Sequence, residues 1–293
     1  MKPPPFEYHA PRSLDEACGL LARLENVKVL AGGQSLMAML NLRYIYPDHL
    51  IDINKVPGLD GIAVEAGQLS IGALVRQRHL EMHAQVRRAA PIFAEALCVV
   101  GHRQTRNRGT MGGSLCHLDP AAELPLVALL HDATVRIAAA NTVVRTMPMQ
   151  DFIAGYMSPA IGPEELVIGV AMPLWPPGHG HAFVERSRRH GDFAIASAAC
   201  LLTADRAGRI TRAALGVGGL GPVPARVPEA EQDLVGSCGE AAVVQRAASR
   251  CAGLEALSDF HGQADYRRSI ATALVRTAIT TAYRRACTLE TVQ

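Results

Sequence analysis

Aromatic residues are scarce in this sequence: 4% of 293 residues, with a single tryptophan. So few rings exclude a stacking platform for single-stranded nucleic acid. An excess of one charge is missing as well. The net charge is +2 with histidines neutral, so no polyphosphate-binding surface is expected. The densest basic stretch, RSRRHGD at 186–192, is short and ends on Asp192, which suits a solvated turn. Seven cysteines, at 18, 98, 116, 200, 238, 251 and 287, include no CxxC pair. A zinc or iron–sulphur site built from them is therefore not expected, and reduced thiols in a cytoplasmic protein are the simplest account. The opening MKPPPFEYHAPRSLDE carries no apolar signal segment, and charge or turns break every apolar run short of a membrane span. No metal-ligand set and no catalytic triad is legible.

What is present is globular. With 49% hydrophobic and 19% charged residues, the chain is long enough for more than one domain. SLDEACGLLARLEN at 13–26 reads as a helix, with Ser13 as its cap and Glu16 completing a capping box. VKVL at 27–30 reads as a short buried strand, and SLMAMLNLR starts a second helix with Ser35 at its cap. HLIDIN at 49–54 is a further strand candidate, and IAVEAG and QLSIG at 62–72 form a tight hairpin. Ser70 is placed as the cap of a helix through LVRQRHLEMH, and RRAAPIFAEALCVVGH suggests another, started by a turn near Pro91. LPLVALLHD reads as helical, TVRIAAA and TVVRTMPM flank Asn141 as a second hairpin, and EELVIGVAMP closes this half as a strand. PLWPPGHGH at 173–181 is the strongest linker signal, punctuated by proline and glycine. Beyond it, HAFVERSRR, DFAIASAACLLTAD and RITRAALGVGG read as strands, followed by two helical stretches. In the last of these, Ile270, Leu274 and Ala278 recur at helical spacing. An α+β C-terminal domain from about 180, its sheet packed on helices, is expected.

Two glycine segments stand out: AGGQSL at 31–36, after the first strand, and TMGGSL at 110–115. Neither matches the GxGxxG dinucleotide fingerprint, and neither is followed by the GK[ST] of a P-loop. Backbone amides around Gly32–Gly33 can satisfy pyrophosphate oxygens without a lysine. Around Gly112–Gly113, the hydroxyls of Thr110 and Ser114 add donors where the missing Cβ atoms permit close approach. Two ordinary tight turns account for the same pattern, and spacing leaves both readings open. A third doublet, Gly218–Gly219, lacks such a context.

In order, and over nearly the whole chain, AGGQSL at 31–36, RNRGTMGGSLCHLDPAAELP at 106–125, ERSRRHGDFA at 185–194, GVGGLGPVPAR at 216–226 and DFHGQADYRR at 259–268 resemble one family. It is the flavin-binding medium subunit of molybdenum hydroxylases, such as the medium subunit of carbon monoxide dehydrogenase and the flavin domain of xanthine dehydrogenases. The resemblance implies an α+β fold: a two-lobed FAD-binding domain like that of vanillyl-alcohol oxidase, then an α+β C-terminal domain of the carbon monoxide dehydrogenase flavoprotein type. The corresponding boundaries are 1–177, with lobes of about 1–57 and 58–177, and 178–293. It implies non-covalent FAD. Ala31, Gly32, Gly33, Gln34, Ser35 and Leu36 would cradle the pyrophosphate, and Thr110, Gly112, Gly113 and Ser114 would approach it from the second lobe. By the same resemblance Val100 and Val167 line the flavin or adenine pocket, and Asp119 and Glu123 bring acidic groups near it. As plain residues, the two valines read equally as core and Asp119 as a turn-forming Asp-Pro pair. Val184 stands where some relatives carry a lysine near the isoalloxazine.

The resemblance further implies partners. A small subunit would hold two iron–sulphur clusters and a large subunit molybdopterin, assembled as a dimer of heterotrimers. Electrons would reach FAD in this chain, which brings no catalytic residue of its own. The cysteine-bearing insertion of the hydroxybenzoyl-thioester reductases is not visible. Two alternatives are a free-standing FAD-dependent oxidoreductase and an assembly subunit that has lost FAD.

Overall fold

The computed structural model describes residues 2–289. The chain begins with β1 (Glu7–His9), α1 (Leu14–Arg23), β2 (Val27–Leu30), α2 (Leu36–Asn41) and β3 (His49–Asp52). The three strands form a parallel sheet in the order β1-β3-β2. Ser13 caps α1 by accepting from the Glu16 amide at 3.1 Å, while the Glu16 carboxylate reaches back to the Arg12 amide at 2.7 Å. Ala17, Cys18 and Leu21 of α1 are buried against Ile51 of β3, giving this lobe a small core.

The next stretch comprises β4 (Ile62–Glu65), β5 (Gln68–Gly72), α3 (Gln77–Met82), α4 (Ala84–Ala89), α5 (Ile92–Val99), α6 (Arg103–Arg108), α7 (Met111–His117) and α8 (Glu123–Leu130). It closes with β6 (Thr134–Ala138), β7 (Val144–Pro148), α9 (Met149–Phe152), β8 (Ile153–Gly155), β9 (Ser158–Pro159) and β10 (Leu166–Pro173). A five-stranded antiparallel sheet has the order β4-β5-β10-β6-β7. Both expected hairpins form. Ala66 and Gly67 turn the first with φ of 49° and 75°, and Asn141 takes φ 62° between β6 and β7. Ser70, in contrast, lies inside β5 and caps nothing. Residues 73–74 form a turn, closed by the Val75 amide on the Gly72 carbonyl at 3.1 Å, and Arg76 is bridged to Thr110, so the helix starts only at Gln77.

The C-terminal domain is a four-stranded antiparallel sheet of β11 (Gly180–Ser187), β12 (Ala194–Ala204), β13 (Ile210–Gly218) and β14 (Ala225–Arg226). Three helices follow: α10 (Pro228–Leu234), which the sequence reading did not pick out, α11 (Ala241–Ser249) and α12 (Ala264–Leu289). The sheet is covered on both faces. Ala196, Ala198, Cys200 and Leu202 of β12 join the core beneath α12, whereas Ala199 and Leu201 join the core around α5 and α8. Burial on both faces explains the unbroken apolar run of β12, where one wet face would have required alternation. Helix α8 lies in the larger core, and Leu124–Leu130 are all buried.

Two sequence expectations change here. The buried seam of α12 is Ala271, Val275, Ala278, Ile279, Ala282 and Ala286; Ile270 and Leu274 flank it, because small residues take the line of closest approach to the sheet. The Pro/Gly-rich 173–181 segment connects the domains but is packed rather than free. Trp175 is buried, with the Arg212 guanidinium 3.9 Å over its ring.

Gly180 is the point of closest contact with α12, since a Cβ built there would strike the Ala282 carbonyl. Gly180→Val is expected to cost about 1–3 kcal/mol by forcing helix and sheet apart. Gly253→Ala, at a position with nothing within 4 Å, should stay within about 0.5 kcal/mol. Urea unfolding of both variants checks the pair.

Candidate functional site

The first glycine segment leaves β2 and bends at Gly33, whose φ of +72° favours glycine. Ser35 is not the cap it was expected to be. Its backbone is already helical, at φ −98° and ψ −50°, and its side chain makes no cap bond. The consequence is an open row of donors. Among the described residues, the amides of Gly32, Gly33, Gln34, Ser35 and Leu36 have no acceptor. Successive free amides of this kind form an anion-binding concavity.

The second segment is built differently. The Gln77 amide donates to the Gly109 carbonyl at 2.8 Å, the Met111 amide to Val75 at 3.0 Å and the Gly112 amide to Ala73 at 2.9 Å. Thr110 caps α7, accepting from the Gly113 amide at 3.0 Å, and the Ser114 amide donates to the Thr110 carbonyl at 3.2 Å. The amides of Gly112, Gly113 and Ser114 are therefore already in use, and the doublet sits in the first turn of a helix rather than in an open loop. Gly112 is glycine because a Cβ would come within 2.6 Å of the Ala73 Cβ. Thr110 is buried with its hydroxyl engaged by Gly113, so the side-chain group this segment leaves partly open is the Ser114 hydroxyl.

The two segments touch. A Cβ on Gly32 would run into the Arg108 carbonyl, and one on Gly113 would lie 4.0 Å from the Ala31 Cβ. Two residues that no motif marked hold them together. Asn54 donates from Nδ2 to the Ala31 carbonyl at 2.8 Å. Arg76 donates to Asn54 Oδ1 and to the Arg108 carbonyl, both at 2.6 Å. Asp52 fixes Asn54 in turn, accepting from its amide at 2.9 Å and its Nδ2 at 2.6 Å. Although burial opposes its charge, Asp52 is held below the usual carboxylate range by the Tyr8 hydroxyl at 2.6 Å and by Asn54. Behind the second segment, buried Arg106 pairs with Glu81 at 2.9 Å and donates to the Val100 carbonyl at 2.9 Å.

The remaining candidates divide. The side chains of Val100 and Val167 are packed in the large core around α5 and α8. Asp119 Oδ1 accepts from the Ala121 amide at 2.8 Å, so it shapes the turn before Pro120. The Pro120 carbonyl then accepts from Gly219 at 2.7 Å, which gives the third glycine doublet a part in joining the domains. Glu123, at the start of α8, is pushed up to about 8 by burial, with the Glu185 carboxylate adding to the shift. Burial pushes Glu185 itself to about 7, and its Oε2 is buried without a partner among the described residues. At neutral pH Glu123 is thus largely a protonated acid that can donate, not the pure acceptor its residue type implied. Val184 packs toward the α12 side, while Phe183 joins the core shared with α5 and α8 and Glu185, in register with it, couples to Glu123.

This two-lobed cradle, closed by a sheet-and-helix domain, has close counterparts. Residues 4–175 match the FAD binding domain in molybdopterin dehydrogenase, and residues 181–282 match the CO dehydrogenase flavoprotein C-terminal domain. The chain belongs to the FAD-binding medium subunits of the molybdenum hydroxylase family. It is 40% identical over 288 residues to the 6-hydroxypseudooxynicotine dehydrogenase complex subunit alpha of Paenarthrobacter nicotinovorans, covering 98% of this chain and 97% of the relative. To the carbon monoxide dehydrogenase medium chain of Hydrogenophaga pseudoflava it is 33% identical, covering 97% and 99%. The solved quinoline 2-oxidoreductase of Pseudomonas putida 86 superposes with a TM-score of 0.93 at 35% identity, covering 98% of this chain and 100% of that one. The two-domain α+β architecture of this family is the architecture described above.

A carboxyl whose folded value is raised stabilises the fold at low pH and loses that contribution as pH rises from the ordinary glutamate value through about 8. Glu123→Gln should therefore gain stability over the parent at about pH 8.5 and show little gain at about pH 5. Thermal unfolding at the two pH values reads the difference.

Proposed function

We propose that this chain binds one FAD non-covalently and serves as the electron-transfer subunit of a molybdenum hydroxylase complex. The observation that carries the reading is the open row of five amides at Gly32–Leu36, held against the second lobe by Asn54 and Arg76. These donors fit the pyrophosphate of a dinucleotide. Ala31–Leu36 would hold it, with the Ser114 hydroxyl on the opposite side. Asn54 and Arg76 position both segments without needing to touch the ligand. Glu123 and Glu185 lie where the C-terminal domain closes on α8, and they supply groups that hold a proton near neutral pH. FAD, when bound, takes and releases electrons singly or in pairs and so joins one-electron to two-electron carriers. The chain's part is to bind, orient and enclose.

The partners in this reading are a small subunit with two iron–sulphur clusters and a large molybdopterin subunit, arranged as a dimer of heterotrimers in the cytoplasm. The relatives named above, a dehydrogenase complex subunit and a medium chain, support an assembly. No described helix is long and apolar enough to cross a membrane.

Acid denaturation is expected to release intact FAD into the supernatant. Flavin left on the peptide, or FMN in solution, would contradict the assignment. Gly33→Asp places a side chain at a φ of +72° and a negative charge beside the amide row. It should lower FAD affinity at least about tenfold while circular dichroism stays native; unchanged affinity counts against this segment as the cradle.

The isolated flavoprotein should fail to oxidise N-heterocycles, aldehydes or carbon monoxide. Co-expression with the iron–sulphur and molybdopterin subunits should restore substrate-driven bleaching of the flavin band in rapid mixing. Equal turnover by the isolated chain would favour a free-standing oxidoreductase.

A further inference from the structure

On the opposite flank of the first lobe, β1 and β3 bring together three side chains that the cofactor cradle does not use. Glu7 and His9 are two apart on β1 and so share a face, and parallel pairing sets Glu7 directly against His49 of β3. Tyr8, between them, leaves from the other face and bonds Asp52. His9 Nε2 lies 3.2 Å from His49 Nδ1. Glu7 Oε1 lies 3.8 Å from His9 Nε2, and its other oxygen, Oε2, lies 3.6 Å from His49 Nδ1. Both imidazoles are mostly covered, with side-chain exposures of 17% and 21%, while Glu7 at 67% faces solvent.

From this arrangement we infer that Glu7, His9 and His49 form a binding site for a divalent transition-metal cation of the zinc type. Nitrogen and oxygen ligands about 2.0–2.2 Å from a tetrahedral zinc lie about 3.3–3.6 Å from one another. With one ligand atom taken from each residue, all three lie within 4.8 Å of one another, and the exposed Glu7 side chain can rotate to close that spacing to the tetrahedral range. Two neutral imidazoles and one carboxylate are a donor set of borderline hardness, suited to zinc rather than to calcium or magnesium. The exposed side of Glu7 leaves a fourth position to water.

The site has a physical role at this place. β1 is a three-residue edge strand, paired among the described residues with β3 alone. A metal shared between the two strands cross-links the start of the chain to the lobe that carries the amide row, and it stabilises the fold by mass action. Sequence spacing carried no sign of it, because the two histidines are 40 residues apart and only the parallel register makes them neighbours.

Titration of tag-free, chelator-treated protein with zinc chloride in a calorimeter should show one site per chain. His9→Gln and His49→Gln should each weaken it at least about tenfold, and Glu7→Gln should weaken it less. Excess zinc should raise the unfolding midpoint of the parent protein but not that of His49→Gln. Zinc-edge X-ray absorption on the unsubstituted protein should show two imidazoles with oxygen and no sulphur, which separates this site from the free thiols without any variant. Absence of binding at millimolar zinc, a sulphur-ligated spectrum, or unchanged affinity in both histidine variants would each overturn the assignment. The first result would leave the His9–His49 contact as a plain hydrogen bond.

Discussion

The candidate site depends on where one guanidinium points. Arg76 sits between the lobes, and among the described residues it pairs with no carboxylate. Its donors go to the Asn54 amide oxygen, whose Nδ2 holds the first glycine segment at Ala31, and to the Arg108 carbonyl beside the second. Burial lowers its pKa, and the neighbouring Arg108 charge lowers it further, so its environment is costly for a cation. Neutral acceptors offset that cost in part and give planar, directional bonds. The two segments thereby keep a fixed spacing, and the free amides of the first are not drawn into bonding with the second.

A division of labour follows. The first segment keeps its donors open because Gly33 turns the chain away from the helical capping that Ser35 would otherwise perform. The second has satisfied its own donors, since the Ala73 and Val75 carbonyls accept from it and Thr110 closes the helix turn. One lobe presents charge-seeking amides and the other a rigid, close-packed wall. The glycines in both are required by steric approach, though to different neighbours.

The C-terminal domain is held to this wall by packing and by one charged cluster. Glu95 of α5 accepts from the Phe183 amide of β11 at 2.9 Å and pairs with Arg285 of α12, with His181 3.5 Å away. Burial opposes the charge on Glu95, yet His181, the Phe183 amide and Arg285 together hold its carboxyl below the usual range. Arg285 also donates to the His181 carbonyl at 2.6 Å. With Arg267, buried and bonded to Ile195, Gly219 and Asp259, these contacts secure α12 to a sheet whose other face covers α8. The segment linking the domains is therefore a packed connection, despite a proline and glycine content that marks a flexible one.

Local chemistry was legible in the residues themselves. The Ser13–Glu16 capping box, both hairpins, the Pro91 helix start and the alternation of apolar stretches follow from bonds and dihedrals within a few positions, so sequence alone determined them. The glycine segments were also visible, and the order of five motifs along the chain identified the family. Tertiary structure decided everything that depends on partners far along the chain. Ser70 is a strand residue and Ser35 is not a cap because distant backbone and a left-handed glycine control them. Glu123 becomes a weak acid because burial opposes its charge and the Glu185 carboxylate, distant in sequence, adds to the shift. Asn54 and Arg76, 22 residues apart, carry no local signature. Their role exists only once two lobes meet, since hydrogen bonds between elements are set by register and packing rather than by spacing.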